Sequence, residues 1–295
     1  MKKSILVITL SLMSMMTSLL MAQTTEQISV DTLSKNIIFT VPNGPSFEMV
    51  YVQGGTFTMG CTDDQKGKCE KDARPAHQVS LTEFYAGKYE VTQSLWKAVM
   101  GTTVEQQCKK AGQHNVYGVG DDYPIYYINF SEANAFCAKL NEIFADQIPE
   151  GFHFDLPSEA QWEFAARGGV KDVPSLYAGS RFASDVAWYE GVSERTSHPV
   201  GQKQPNELGL YDMNGNVWEW CQDWYDEDFY SHSALQDPVN ANCAANRVYR
   251  GGSWDYSAKL CPVSMRFYGA PTGRTINLGI RVVLTKTGVS TLQIN

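Results

Sequence analysis

The stretch Asp212-Met213-Asn214-Gly215-Asn216-Val217-Trp218-Glu219-Trp220 places carboxylate and amide oxygens at alternate positions around a glycine that allows a tight bend. Hard cations such as calcium take six to eight oxygen ligands, backbone carbonyls included. The spacing is not that of an EF-hand, because the closing glutamate comes too early. Two interpretations stay open: a calcium-binding loop, or an Asx-rich turn that bonds only to its own backbone.

A second segment, Arg247-Val248-Tyr249-Arg250-Gly251-Gly252-Ser253-Trp254, reads as a strand that ends in a tight turn. The two glycines let the backbone pass close to another group, and Ser253 presents a hydroxyl there. Cys261 follows, and by itself it can be a nucleophile, a soft-metal ligand or a core thiol. Copper(I) prefers soft thiolates, usually two of them.

Several function classes are excluded by what the sequence lacks. The five histidines form no H-x-x-x-H pair and no C-x-x-C occurs, which argues against zinc sites of the usual spacing. There is no G-x-S-x-G elbow, Walker loop or dinucleotide fingerprint. Lys+Arg number 24 against 32 Asp+Glu, for a net charge of −8, so a basic nucleic-acid footprint is not expected.

The N-terminus predicts export. Lys2 and Lys3 precede an apolar run from residue 4 to 20, and Ala22 ends it, which is typical of a signal peptide over residues 1–22. An uncleaved anchor helix is the alternative. We expect a polar leader over 23–45, one domain over 46–285 and a tail over 286–295. The protein is then periplasmic or secreted, without a lipid-anchor cysteine before Cys61 and without a later membrane span.

Seven cysteines in an exported chain call for a disulfide interpretation. Cys61 and Cys69 flank a short polar loop, and a local bridge is plausible. Cys221 and Cys243 flank another loop and are a second candidate pair. Cys137 lies on an apolar helix face and is expected to be an inert thiol.

Local patterns predict few helices. Residues 49–60 are expected to form a hairpin with glycines at its turn, and residues 77–89 a further strand. Thr92 caps a first helix to about Met100, and Ser131 caps a second. Ser158 and Gln161 form the capping box of a third, which Gly168 ends. The remainder is expected to be loops and short strands around aromatic residues.

Six blocks, in order, resemble the sulfatase-modifying-factor family, which includes the formylglycine-generating enzymes. They are Met49–Gly60, Tyr89–Thr92 with Trp96, Leu156–Gly169, Asn206–Trp220, Arg250–Trp254 and Leu278–Arg281. The resemblance implies an α+β fold: a single, irregular, loop-rich domain of the formylglycine-generating-enzyme or C-type-lectin-like type. It covers nearly the whole chain after the leader.

For activity, the resemblance implies copper held by two cysteines that oxidises a substrate cysteine to formylglycine. The matching positions are Tyr256 and Cys261, so the first thiolate is missing and copper is not expected. If enzymatic activity remained, Cys261, Ser253 and Trp218 would line its pocket.

The resemblance also implies calcium at Asp212, Gly215, Val217 and Glu219. A second calcium site near residues 185–200 is in doubt, because its second acidic ligand falls near Val192.

Two functions follow. The first is an exported, calcium-stabilised binding or accessory protein for a protein, peptide or glycan. Its contacts would come from exposed residues around the turn, namely Asp255, Tyr256, Phe267 and Tyr268. The alternative is an oxidoreductase of the formylglycine-generating type that acts on a cysteine or another side chain.

Overall fold

The computed structural model describes residues 35–65, 67, 69–171 and 173–286. From Ile37 onward these residues belong to one compact unit. The predicted signal peptide and the last nine residues of the predicted tail lie outside the described residues. No helix in the described ranges has the length and apolar character needed to cross a membrane.

The predicted α+β class with few helices is confirmed. The described residues form five α-helices: α1 (Gln93–Met100), α2 (Val104–Lys110), α3 (Phe130–Ile143), α4 (Glu159–Ala166) and α5 (Ala183–Val186). The strands are β1 (Ile37–Thr40), β2 (Ser46–Val52), β3 (Gly55–Met59), β4 (His77–Leu81), β5 (Phe84–Gly87), β6 (Phe152–Asp155), β7 (Ala187–Trp188), β8 (Asn214–Gly215), β9 (Trp218–Trp224), β10 (Arg247–Arg250), β11 (Phe267–Gly269), β12 (Leu278–Gly279) and β13 (Val283–Lys286).

The larger sheet has the antiparallel strand order β1-β2-β5-β13-β6, which joins the N-terminal strands to the last one. Helix α3 packs against β6 and α1. A cluster of aromatic rings fills the space beneath this sheet, with Phe39 4.9 Å from Phe144 and 5.1 Å from Phe154 between ring centroids. Such contacts stabilise beyond the apolar area that they bury.

The second sheet, β11-β10-β9-β12, supports the turn after β10 and the loop before β9. Strands β10 and β9 are antiparallel, whereas β12 runs parallel to β9. The pairs β3-β4 and β7-β8 form two small sheets of their own. The two predicted motifs therefore lie on neighbouring strands.

Helix α4 is buried at all eight positions, including Glu159 and Glu163. Arg250 at the end of β10 donates to both carboxylates at 2.6 Å, and Arg266 donates to Glu159 at 2.7 and 2.9 Å. Arg167 donates to Glu163 at 2.9 Å. The two Arg250 pairs fix the helix to the strand that carries the Gly-Gly turn.

Some local predictions are wrong. Strands β2 and β3 do not form a hairpin, since β2 pairs with β1 and β5 while β3 pairs with β4. Residues 77–89 form two strands in different sheets rather than one. Strand β1 lies inside the predicted polar leader, because Phe39 is an apolar anchor that the leader's polar composition concealed.

The helix caps were predicted with one error. Thr92 caps α1 by accepting from Leu95 N–H, and Ser158 with Gln161 forms the capping box of α4. Asn129, not Ser131, caps α3, since its side chain accepts from Glu132 N–H at 3.0 Å. The helix thus begins one residue before Ser131.

Among the cysteines, the predicted Cys61–Cys69 bridge is confirmed. Cys221 and Cys243 are both free, so that candidate pair is wrong. Cys221 points into the core from β9, whereas Cys243 lies exposed on the following loop. Cys137 is buried, and burial raises the pKa of its thiol.

Candidate functional site

The turn after β10 is built so that its backbone touches Cys261. Gly251 and Gly252 have φ of 104° and 83°, in the left-handed region where glycine is favoured. A Cβ on Gly252 would lie 2.6 Å from Cys261 Sγ. The predicted close approach is therefore confirmed at Gly252, where the backbone passes next to the Cys261 thiol.

Cys261 is completely buried in a small cluster with Tyr177, Ala183, Val186 and Ala187. Burial raises the pKa of the Cys261 thiol to about 12, although the backbone N–H groups of Ser253 and Gly215 favour the thiolate. The thiolate is the form that binds metals and attacks substrates. At neutral pH this cysteine is thus a protonated core thiol.

Tyr256, which the resemblance matches to the first copper cysteine of the family, is held in an aromatic cluster. Its ring meets Trp218 edge-on at 5.7 Å and Phe267 at 6.0 Å between centroids. Burial, assisted by the charge of Asp255, raises the pKa of the Tyr256 phenol. The position is therefore occupied by a neutral phenol used for packing.

Ser253 is fully buried and already engaged. Its hydroxyl donates to Asp255 Oδ1 at 2.7 Å, and Asn277 Nδ2 donates to Ser253 Oγ at 3.2 Å and to Asp255 Oδ1 at 2.7 Å. This triangle orients the Asp255 carboxylate. Ser253 acts here as a support for its neighbour.

Trp218, the third predicted pocket residue, is 1% exposed. Its ring packs against Tyr249 and Phe267 as well as Tyr256, and its Nε1 is buried without a hydrogen-bond partner. Trp218 thus holds the aromatic cluster beneath the turn and stays out of contact with solvent.

An open cavity of about 270 Å³ lies beside the turn, which we call the Trp254 cavity. It is lined by Tyr117, Glu190, Ser193, Arg195, Trp254, Asp255 and Ile276. Tyr117 stacks on Trp254 at 5.1 Å, and the Trp254 indole Nε1 is buried without a partner. The exposed side chains of Glu190 and Arg195 make no ion pair within the described ranges. The cavity thus offers an aromatic wall and both signs of charge.

The predicted calcium loop begins with a good oxygen donor. Asp212 is 2% exposed; its Oδ2 accepts from Gly201 N–H at 2.7 Å, while its Oδ1 is buried without a partner. Burial raises the pKa of Asp212 to about 6. Gly215 has φ of 76°, and a Cβ there would meet the Trp188 carbonyl oxygen at 2.1 Å. The bend at Gly215 was predicted correctly.

Glu219 has different partners from those that the resemblance implies. Both carboxylate oxygens accept from Arg281, at 2.7 to 3.1 Å, and Oε2 also accepts from the Trp162 indole at 2.6 Å. In the described ranges no group of three or more His, Cys, Asp or Glu side chains is placed to hold a metal. An ion at this loop would therefore depend on Asp212 and on backbone carbonyls such as those of Gly215 and Val217.

Sequence reasoning missed the buried carboxylate that closes this loop. Glu90 accepts from Asn216 Nδ2 at 2.6 Å and from Val217 N–H at 2.9 Å. Burial and then the charges of Asp212 and Glu219 raise the pKa of Glu90. Its only sequence signal was its place in the block Tyr89–Thr92, which had been given no role. Tyr117 and Arg195 of the Trp254 cavity gave no signal, since neither lies in a motif.

Comparison with known proteins agrees with this architecture. The family model of the sulfatase-modifying factor enzyme 1-like domain matches residues 35–286. The chaperone protein LppX of Paenibacillus barcinonensis is 31% identical, covering 82% of this chain and 90% of that protein. The serine/threonine-protein kinase Pkn1 of Chlamydia trachomatis is 29% identical over 70% of this chain, but the match spans only 33% of the kinase.

Among solved structures, the Treponema denticola variable protein 1 superposes with a TM-score of 0.71 at 31% identity. The match covers 84% of this chain and 98% of that one. The fold that the sequence resemblance implied is thereby confirmed. With its family model matched over most of its length, this chain belongs to the sulfatase-modifying factor enzyme 1-like family.

Proposed function

We propose that this protein is an exported binding or accessory member of its family, without formylglycine-generating activity. The observation that carries the proposal is the state of Cys261. The thiol is buried in an apolar cluster with its pKa raised to about 12, and the partner position is a packed tyrosine. A two-thiolate copper site has neither of its ligands in a usable form.

The Trp254 cavity supports a binding function. Its lining places an exposed acidic side chain, Glu190, and an exposed basic one, Arg195, beside the Tyr117 ring, which stacks on Trp254. Aromatic and arginine side chains supply much of the binding energy in many interfaces. We propose that this cavity is the ligand site, and that the ligand is an exported protein, peptide or glycan.

Two of the relatives support a role outside oxidation chemistry. One carries the name of a chaperone, and another is a kinase in which the matching part is about a third of the chain. Family membership therefore does not by itself supply the oxidase activity. A polypeptide ligand is favoured by the chaperone relative, whose match spans nearly its full length.

The enzymatic alternative is tested directly. The protein is incubated with copper, reductant, oxygen and a sulfatase-type cysteine peptide, and the peptide mass is followed. We expect no conversion to formylglycine. Turnover that Cys261→Ser abolishes would overturn the proposal and restore the oxidoreductase function.

The binding site is tested with peptide and glycan arrays. We expect a ligand whose binding falls at least fivefold in both Glu190→Gln and Arg195→Ala, because their exposed side chains line the cavity. Glu150→Gln, an exposed acid on the loop before β6, is the matched control and should bind as the unaltered protein does. Equal binding by all three variants would place the ligand elsewhere.

A further inference from the structure

A second cavity, of about 380 Å³, opens between the loop after the Cys61–Cys69 bridge and the loops around β9 and β11. We call it the Tyr268 groove. It is lined by Glu70, Lys71, Asp72, Tyr225, Glu227, Leu260, Met265, Arg266, Phe267 and Tyr268. It shares no lining residue with the Trp254 cavity, and it contains Phe267 and Tyr268, two of the residues predicted to contact a ligand.

The groove has an exposed aromatic platform. Tyr268 stacks on Tyr225 at 3.8 Å between centroids and an interplanar angle of 24°, and Tyr268 is 44% exposed. The Tyr225 hydroxyl donates to Asp72 Oδ2 at 3.0 Å, which holds the inner ring in place. Tyr225 supports one face of the Tyr268 ring, and the other face is open to solvent. A ring that is already held in place presents its electron-rich face to a ligand at little entropic cost.

The inner side of the platform already carries a cation. The Arg266 guanidinium lies 5.2 Å from the Tyr225 ring centroid and 4.3 Å from that of Tyr230. Its charge is matched by Glu159, to which it donates two hydrogen bonds. Arg266 therefore adds little positive potential to the groove.

The rim of the groove is acidic. Glu70 and Glu227 are exposed and, within the described ranges, take part in no hydrogen bond or ion pair through their side chains. Asp72 keeps one carboxylate oxygen buried without a partner. Lys71 is the one exposed base among the lining residues. Aromatic faces bordered by carboxylates attract cations, through the ring quadrupole and through charge.

From this charge complementarity we infer that the Tyr268 groove binds a basic segment of a polypeptide partner, with a lysine or arginine side chain over Tyr268 and its charge facing Glu70 and Glu227. This site is separate from the Trp254 cavity. It stands or falls independently of the function proposed there.

The test uses a capped Gly-Lys-Gly-Lys-Gly peptide and the same peptide with both lysines Nε-acetylated, titrated into the isotopically labelled protein and followed by NMR. We expect the charged peptide to shift the resonances of residues 267–269, and the neutral peptide to bind at least fivefold more weakly. Raising the salt concentration should weaken the charged complex, since exposed charges are screened.

Two variants locate the site. Tyr268→Ala should weaken the charged peptide at least fivefold by removing the platform, and Glu227→Gln at least twofold by removing a rim charge. Glu150→Gln, an exposed acid outside the groove, should leave the affinity unchanged. Equal binding of the two peptides, or unaltered binding by both groove variants, would overturn the inference. Loss of binding in Glu150→Gln would also overturn it, because the peptide would then respond to the overall charge of the protein and not to this groove.

Discussion

At the scale of single residues, Cys261 decides between the two functions. A cysteine at a family copper position looks reactive in the sequence, but here a glycine backbone, a tyrosine and three small apolar side chains surround it. Cys243, by contrast, is free and exposed. The same side chain therefore has opposite reactivity at two positions, because reactivity follows the thiolate fraction and access.

Alkylation measures this difference. With iodoacetamide at pH 8, we expect Cys243 to be modified more than 100-fold faster than Cys261, since both a pKa of about 12 and burial protect the latter. Mass spectrometry of proteolytic fragments gives the two rates. In urea both cysteines should react alike. Comparable rates in the native protein would show that Cys261 is accessible, contrary to the packing described above.

At the scale of elements, the predicted calcium loop, residues 212–219, and the contacts of α4 carry separate predictions. This loop brings Asp212 and Glu219 into the interior, next to Glu90 and to the guanidinium of Arg281. Helix α4 brings two glutamates beneath the Gly-Gly turn. In both places buried charge fixes backbone that has little regular secondary structure to hold it.

We propose that calcium binds the loop through Asp212 with the carbonyls of Gly215 and Val217. A ligand that binds only the folded state at a hundred times its Kd adds about 2.7 kcal/mol. Chelation of the purified protein should then lower the Tm by roughly 5 to 10 °C. Direct metal analysis gives the stoichiometry.

Asp212→Asn is the informative variant, because it weakens the oxygen donor while leaving Arg281 paired with Glu219. We expect its Tm to be insensitive to chelator. Glu219→Ala would leave the buried Arg281 guanidinium without its carboxylate partner, so its Tm would reflect the lost ion pair and not calcium. If the purified protein holds no calcium, and its Tm is the same with added calcium as with chelator, the loop is an Asx-rich turn.

The ion pairs of α4 predict a large stability effect. Arg250→Met removes a guanidinium that donates to Glu159, Glu163 and the Val263 carbonyl, all buried. Breaking a buried pair costs about 3 to 5 kcal/mol. Lys286→Met, which breaks a half-exposed pair with Glu83, should cost less than about 1 kcal/mol. Urea unfolding of the two variants compares them, and a loss below about 1 kcal/mol in Arg250→Met would contradict this role.

At the scale of the whole molecule, the described residues form two larger sheets, two small ones and five helices, and buried charged side chains bond to the loops that join them. The pKa values of two buried acids, Asp212 and Asp223, are raised toward neutrality because burial disfavours the charged form. Asp223, between α4 and the loop after β9, accepts from Glu159 N–H at 2.7 Å and Asn240 N–H at 2.8 Å. Burial, followed by the charge of Glu159, raises its pKa to about 7.

This shift predicts that stability falls as the pH rises. The folded state holds the Asp223 proton up to about pH 7, whereas the unfolded chain releases it near pH 4. The resulting stabilisation is complete below the unfolded pKa and is lost as the pH rises through the folded pKa. Between pH 5.5 and 8 the loss is about 2 kcal/mol.

Thermal unfolding at constant chelator concentration measures the slope. Asp223→Asn cannot titrate, so its Tm should change less between pH 5.5 and 8 than that of the unaltered protein, whatever its absolute stability. The pKa of Glu90 is raised as well, so the Asp223→Asn variant should keep part of the dependence of Tm on pH. A Tm that rises with pH in the unaltered protein would contradict the assignment.

The sequence by itself determined what depends on near neighbours along the chain. The caps of α1 and α4, the Cys61–Cys69 bridge, the bend at Gly215 and the close approach at Gly252 each follow from local spacing and backbone freedom. The ordered blocks also determined the family and the fold. Strand pairing was not readable, because β2 and β3 are adjacent in sequence but bond to strands far along the chain.

Only the tertiary structure decided how these residues are used. Gly60 bonds to Glu163 across 103 residues of sequence, and Val217 bonds to Glu90 across 127. Contacts over such distances leave no periodic pattern in the sequence. The same holds for the shielding of Cys261, the pairing of Glu219 with Arg281 and the assembly of the Trp254 cavity. Burial and charge compensation arise between segments that are distant in the sequence. They determine whether a carboxylate, a thiol or an indole packs in the core or is accessible to a ligand.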